Sequence, residues 1–412
     1  MENTSSNNIK NFEEWLFKGR FLYSSKLAII LWFGLASIAA LLTLLHHTGF
    51  NNFIIFRHVF FHLVNQKNLY ILYPNEYQDV NLYGPVFSIL IAPFAALPPM
   101  TGGFCWVIFN AAILYFAIRK LPIQKNWQYA IIILSSNEMM NNASWYQANP
   151  FVAACIILGF IYINKGKEVW ALLFIMLATF IKIYGIVGFA FFFFSKHKIR
   201  FFFWTIIWSI VFFILPMIIS SPGFVLQSYT DWYYALIQKS AKNTNGALQN
   251  DFQDISVMGM IRRIFRLPRL SDLIIIVPAV VLFAFQYLRF AYFKDLRYRL
   301  YMLCSVLLFT VIFSNGAESP TYIIAFPAVC LWFVLQNPGK LNNGIFIFAL
   351  VLTGFGYSDI FTPYVRTHLV RPYSLKALPC TLIWVILVIQ IYTRQFLKIN
   401  LNRPGNVENK SE

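Results

Sequence analysis

The sequence predicts an all-α, polytopic membrane protein. Of its 412 residues, 58% are hydrophobic and 12% are charged, about half the charged fraction of an ordinary soluble domain. Apolar runs of roughly 20 residues recur from Leu27 to Tyr392, each the length that a helix needs to cross a bilayer. Lys and Arg outnumber Asp and Glu by 33 to 16 and gather in the short gaps between the runs. No polar interval is long enough to bury a core of its own, so no separate soluble domain is expected. A net charge of +17 on a soluble chain would point to nucleic acid. Beside membrane spans it reads as the positive-inside rule, and no nucleic-acid partner is expected.

Residues 1–26 read as a cytoplasmic tail, with Phe12, Trp15, Leu16 and Phe17 placed to lie on the interface. The first run, 27–46, lacks a small-residue cleavage site and is read as a retained span. An outer loop, 47–83, follows. Within it Phe53, Phe56, Phe60, Leu63 and Val64 recur at helical spacing, interleaved with Arg57, His58 and His62. Residues 84–98 are short for a span and carry Pro85, Pro93 and Pro98. Read as a re-entrant hairpin, they leave spans at about 102–119, 127–137, 150–163, 169–181, 185–195, 201–220, 271–288, 300–314, 320–336, 344–357 and 375–393. With span one that makes about twelve. The other outer loops are 138–149, 221–270 and 358–374, and the basic tail 394–412 is cytoplasmic. In this arrangement 21 of the 33 Lys and Arg face the cytoplasm. Both termini are then inside, and Arg262, Arg263, Arg266 and Arg269 are the conspicuous basic cluster outside. The five cysteines all lie in apolar runs with no metal-ligand spacing, so neither a zinc site nor a disulfide framework is expected.

Charged groups at the mouth of a hydrocarbon layer are costly and mark candidate sites. Glu76 and Asp79 lie three apart ahead of Tyr83-Gly84-Pro85, where both can project over one opening as candidate catalytic carboxylates; Glu138 is next in line. Asn52, Arg57 and His58 stand at the start of the same loop. Gln147 and Asn149 open a span, where an amide either caps the helix or donates to sugar hydroxyls. Lys182 sits in Phe180-Ile181-Lys182-Ile183-Tyr184-Gly185, inside an apolar stretch too long for one span and too short for two. A break there puts its ammonium in a cavity, as a partner for phosphate. Arg262, Arg263 and Arg266 share a helical face and either lie on anionic headgroups or clamp a lipid phosphate. Glu318 caps another span at the same face, a place where a carboxylate is also good helix-dipole chemistry. The chain contains no GxxxxGK[ST], H-E-x-x-H, G-x-S-x-G or dinucleotide fingerprint.

Four pieces together carry a resemblance that runs over roughly 27–393. They are Phe53–Tyr70 closing on Lys67-Asn68-Leu69-Tyr70, Tyr83-Gly84-Pro85 leading to Leu97-Pro98, Gln147 with Asn149, and Lys182-Ile183-Tyr184. The sequence resembles the GT-C-fold integral-membrane glycosyltransferases, and among them glycosyltransferase family 87, the polyprenyl-phosphate-mannose-dependent mannosyltransferase-like proteins. Ala317-Glu318-Ser319-Pro320-Thr321 is similar to a Bacteroidetes-type subgroup. The resemblance implies a GT-C-like bundle that moves a hexose from a polyprenyl-phosphate sugar to a lipid or glycan hydroxyl at the outer face of the bacterial cytoplasmic membrane. No cofactor or metal is implied, because phosphate is already the leaving group and basic side chains can stabilise it. Asn52, Arg57, His58, Gln147, Asn149, Tyr184 and Glu318 would meet sugar or acceptor. Trp145, Tyr146, Trp232 and Tyr233 would stack on sugar faces.

In one respect the chain departs from the family. An Asp usually precedes the Phe that opens the first outer loop and is taken as the catalytic base, whereas this chain has Asn52. An amide cannot accept a proton as a general base. Either another carboxylate has the role, with Asp79 and Glu76 nearest, or the protein is not a competent transferase. Two other classes share such features: a transporter or flippase of lipid-linked sugars, expected to show two related halves, and a polymerase or ligase of lipid-linked glycans.

Overall fold

The computed structural model describes residues 20–46, 49–337, 339–358 and 361–401. Residues 1–19 and 402–412 of the two expected tails, and Asp359, lie outside the described residues. Every regular element among those described is helical. In chain order the α-helices are α1 (Ser25–His46), α2 (Asn51–Val64), α3 (Phe87–Ala95), α4 (Pro99–Arg119), α5 (Lys125–Ser144), α6 (Asn149–Asn164), α7 (Glu168–Ile181), α8 (Lys198–Ile214), α9 (Pro222–Asn245), α10 (Val257–Ile264), α11 (Leu273–Phe285), α12 (Leu296–Ile312), α13 (Phe326–Leu335), α14 (Lys340–Ala349), α15 (Pro363–Val365) and α16 (Ala377–Tyr392). Three segments, Ser25–Leu45, Pro99–Arg119 and Lys198–Ile218, are long and apolar enough to cross a membrane. The shorter apolar helices run 10–17 residues. Broad apolar faces stay uncovered on α1 (Ile30, Leu45), α8 (Ile199, Phe202) and α11 (Leu273, Ile274). Faces of that size are what lipid solvates, and the whole has the make-up of a helical membrane protein.

Packing follows from residue size. On α1 the small residues Ala28, Ala36, Ala39 and Ala40 are buried with Trp32 on one face, which lets α1 lie close along α4 and α5. Trp32 donates its indole N–H to Ala111 O at 2.8 Å, and Tyr146 Oη reaches Ala40 O at 2.8 Å. Helix α6 is buried nearly all round, as an evenly apolar helix must be, and forms the centre of the bundle with α12 and α13. Four of the five cysteines are buried in this packing and all five are free thiols.

The 84–98 stretch contains only the nine residues of α3, about 14 Å of helix, less than half of a roughly 30 Å hydrocarbon core. The stretch after Lys167 is a hairpin: α7 ends at Ile181 and Ile183–Phe194 returns as a 3₁₀ helix. Ser195 Oγ donates to Glu168 at 2.9 Å, so the two arms start and finish together. Fourteen residues of α-helix and twelve of 3₁₀-helix cover nearly the same distance, about 21 and 24 Å. Lys182 is the tip. Gly185 packs so closely on Ala178 and Thr179 that any Cβ there would sit 2.3 Å from a backbone nitrogen.

The outer-face amphipathic helices expected in the loops are present as α2 and α10, and α9 and α15 add helix that the sequence reading left as loop. Loop 47–83 contains α2, 221–270 contains α9 and α10, and 358–374 contains α15 and a helical turn, Arg366–Val370. The run 138–149 is largely not a loop, because α5 continues to Ser144 and carries Glu138, Asn141 and Asn142 in its last two turns. Polar side chains are tolerated there because they bind a neighbouring segment: Asn141 donates to Ser319 O at 3.0 Å and Asn142 to Pro320 O at 3.1 Å.

Candidate functional site

At one end of the bundle the start of α2, the turn after α5, the α7 hairpin tip and the segment after α12 converge on a cavity of about 310 Å³. Helix α9 covers it, presenting Leu236, Lys239, Ser240 and Asn243, one face at helical spacing. The lining includes Asn52, Asp79, Tyr83, Trp145, Gln147, Lys182, Tyr184, Asn315 and Glu318. Apolar wall comes from Ile55, Phe56, Ile183 and Leu236.

Each part is fixed locally. Gly84 N–H donates to Ile181 O at 3.0 Å, which ties the 79–83 loop to the end of α7. A Cβ on Gly84 would meet Phe180 O at 2.2 Å and the Trp232 ring at 2.9 Å, so only glycine permits this approach. Trp232 Nε1 then donates to Leu82 O at 3.0 Å, and Asn68 Nδ2 to Asp231 at 2.9 Å, which seat α9 over the loop. The far end of α9 is held by Asn243 to Asn315 O at 2.9 Å and by Asn315 to Ser240 Oγ at 2.7 Å.

A chain of hydrogen bonds runs along the wall. Lys182 Nζ donates to Asn149 Oδ1 at 2.7 Å, Asn149 Nδ2 to Gln147 Oε1 at 2.7 Å, and Gln147 Nε2 to Glu318 Oε2 at 2.7 Å. The ammonium also lies 4.6 Å from the Tyr184 ring centroid and 5.6 Å from that of Tyr83. Tyr184 Oη accepts from Ser314 Oγ at 2.9 Å. Cation, carboxylate and amide donors thus share one partly apolar chamber, an arrangement able to bind an anion and move a proton beside it.

Seven of the residues given candidate roles from sequence line this cavity: Asn52, Asp79, Trp145, Gln147, Lys182, Tyr184 and Glu318. Asn149 lies buried behind them. Asn52 Nδ2 donates to Trp145 O at 2.8 Å. An ionised Asp at that position would set a carboxylate against a carbonyl oxygen, so the amide suits this geometry.

The others lie elsewhere. Glu76 and Asp79 do not share an opening, because the loop crosses α2 between them. Asp79 faces the cavity, whereas Glu76 Oε2 lies 2.7 Å from His62 Nε2 and 3.9 Å from His58 Nε2. Burial pulls the His62 imidazole below its ordinary range, with Glu76 acting against the shift. Arg57 rests over the Phe61 ring at 4.9 Å. Glu138 is buried in an ion pair with Lys376 at 2.8 Å. Arg262 is buried against Asp254 at 2.8 Å, with Asp272 and Leu270 O as further partners. Arg263 donates to Asp254 O at 2.8 Å, Gln253 O at 2.7 Å and Asn250 O at 2.9 Å. Burial lifts the Asp254 carboxyl to about 6, against the pull of Ser256 and the two guanidiniums. Arg266 is exposed at the surface. Neither buried arginine reaches the cavity. Among the described residues no three His, Cys, Asp or Glu side chains converge as a metal-ligand set.

Lys239 was not foreseen. Its stretch read as loop, and the spacing of Leu236, Lys239, Ser240 and Asn243 is the signal that identifies an amphipathic helix with a cationic face.

No curated protein and no solved structure matches the chain. A family model does, over residues 81–315, more than half of the chain and including Tyr83, Gln147, Asn149, Lys182 and Lys239. The chain belongs to glycosyltransferase family 87.

Proposed function

We propose that this glycosyltransferase moves a hexose, mannose by the family resemblance, from a polyprenyl-phosphate sugar to a hydroxyl of a lipid or glycan acceptor. In this reading the bundle is GT-C-like with about twelve spans, and the cavity opens to the outer face of the cytoplasmic membrane. Asp79 takes the proton from the acceptor hydroxyl as its oxygen attacks the anomeric carbon. The bond from that carbon to the phosphate oxygen breaks, and polyprenyl phosphate leaves. Lys182 and Lys239 meet the charge that develops on the phosphate, in a partly apolar site where such contacts are worth most. Glu318 and Gln147 accept and donate to the sugar hydroxyls. The reaction so drawn uses no cofactor.

The observation that carries this reading is the placement of two ammonium groups, Lys182 and Lys239, in one cavity with the carboxylates of Asp79 and Glu318. The test uses the purified chain in lipid nanodiscs with radiolabelled polyprenyl-phosphate hexoses. Transfer to added lipid acceptors, or slow hydrolysis of one donor, is expected. Inertness towards every hexose donor would overturn it.

A further inference from the structure

Two members of the arginine cluster still have no role. Arg262 and Arg263 are buried and bonded, whereas Arg266 and Arg269 are exposed, and no hydrogen bond or ion pair joins them to the described residues. The acids near them in the chain are already taken. Asp254 pairs with Arg262 at 2.8 Å, and Asp272 accepts from Arg262 and, at 2.7 Å, from Asn315. In the topology read from the sequence both free arginines lie outside, where the positive-inside rule gives no account of them.

Apolar side chains are held out from the protein beside them. Phe265 is 66% exposed, Ile264 and Leu267 are about half exposed, and Pro268 is exposed as well. The turn that carries them is built. At the end of α10 Leu267 N–H donates to Arg262 O at 2.9 Å and Arg266 takes the left-handed conformation, with φ of 53°, the pattern of a Schellman turn. Glycine fits that position without steric cost, yet this chain places a guanidinium there. Leu267 occupies the place from which such a turn usually packs an apolar side chain back on its helix, and here that side chain faces outward. From beneath, Arg262 donates to Leu270 O at 2.8 Å and pairs with Asp272, so the turn and the start of α11 form one joint.

This surface runs on into the uncovered apolar face of α11 at Leu273 and Ile274. Exposed apolar groups flanked by free guanidiniums match the boundary of a bilayer, where hydrocarbon gives way to phosphate. A guanidinium fork fits two phosphate oxygens at once and keeps its charge at every physiological pH. Neither arginine lines the first cavity, so the phosphate that they meet is not one held there.

We propose that the turn 264–269 is a recognition site for anionic phospholipid. Ile264, Phe265 and Leu267 enter the leaflet, and Arg266 and Arg269 bind the phosphodiester of a headgroup such as phosphatidylglycerol. Asp272 in the same joint also holds Asn315, which lines the first cavity, so the anchor sets the height of that cavity against the membrane surface.

The test puts a bimane label beside the two arginines of the full-length protein. Cys105→Ser leaves four buried thiols, and Pro268→Cys supplies an exposed one. The labelled protein goes into phosphatidylcholine nanodiscs that contain lipid brominated high in the acyl chain, which quenches bimane at contact. Brominated phosphatidylglycerol is expected to quench with an apparent affinity about fivefold or more above that of brominated phosphatidylcholine. In Arg266→Gln/Arg269→Gln, and at about 0.5 M salt, the preference should fall below about twofold. Phe265→Ser/Leu267→Ser should weaken quenching by both lipids alike, and gel filtration checks that each variant is folded. Equal quenching by the two lipids in the parent, quenching by neither, or an unchanged preference in the arginine variant overturns the proposal. So does relief of phosphatidylglycerol quenching by polyprenyl phosphate at lower concentration than by unbrominated phosphatidylglycerol, which would make the turn a site for a lipid-linked donor.

Discussion

Two basic regions, Lys182 with Lys239 and the arginines from Arg262 to Arg269, look alike in sequence. Lys182 and the arginines each interrupt an apolar stretch, and Lys239 lies in a polar one. In the structure they do opposite things. Arg262 and Arg263 turn inward and satisfy carboxylates and carbonyls, which fixes α10 and the start of α11. Lys182 has one amide partner and faces a cavity with Lys239. A planar guanidinium with five donors readily stitches several backbone carbonyls together, whereas a lysine ammonium keeps a donor for a ligand. The difference teaches that cation position says little about function until the partners are known.

The comparison is sharpened first at the proton. Asp79→Asn should lower kcat by about 10²–10⁴-fold with folding unchanged, because the side chain sits at the cavity rim and, among the described residues, accepts only from its own neighbour's N–H. Retained activity in that variant would move the base to Glu318. Lys182→Met should cost about 10²–10³-fold in kcat/KM, measured as sugar transfer, with a normal gel-filtration profile. Arg262→Met should do the reverse. It leaves Asp254 buried without its partner, at a cost of about 3–5 kcal/mol in stability, while the molecules that remain folded keep their turnover. Thermal denaturation alongside activity per folded molecule separates the two, and loss of turnover without loss of stability would collapse the contrast.

The smallest effect belongs to His62. Its folded-state pKa is depressed chiefly by burial, with Glu76 opposing and His58 and Lys67 adding to the depression. The unfolded chain therefore takes up the proton first on acidification. The associated stability is present above about pH 6.5 and is lost as pH falls through the lower folded value. Melts at about pH 7.5 and about pH 5.5 should differ less in His62→Gln than in the parent; an unchanged slope would exclude this residue.

Much of the scaffold was legible because apolar length and loop charge are one-dimensional properties. The break at Lys182 was visible as a stretch that fitted neither one span nor two. Gln147 and Asn149 were visible as amides where a helix begins. What stayed hidden depends on which side of a helix a loop passes. Glu76 and Asp79 are three residues apart, yet α2 lies between their destinations. Glu138 looked like a loop acid because its pairing with Lys376 spans 238 positions of sequence. Lys239 was hidden by reading a polar interval as irregular, when a helix with one wet face has the same composition.

The bonded string from Lys182 to Glu318 has a direction. Each amide accepts on the lysine side and donates on the glutamate side, and the charges at the two ends forbid the opposite setting of either one. Neither amide can flip without putting two like groups face to face. The string therefore has a single stable polarity. A ligand that displaced the ammonium from Asn149 would remove the group that sets the first amide, while Glu318 would still set the last.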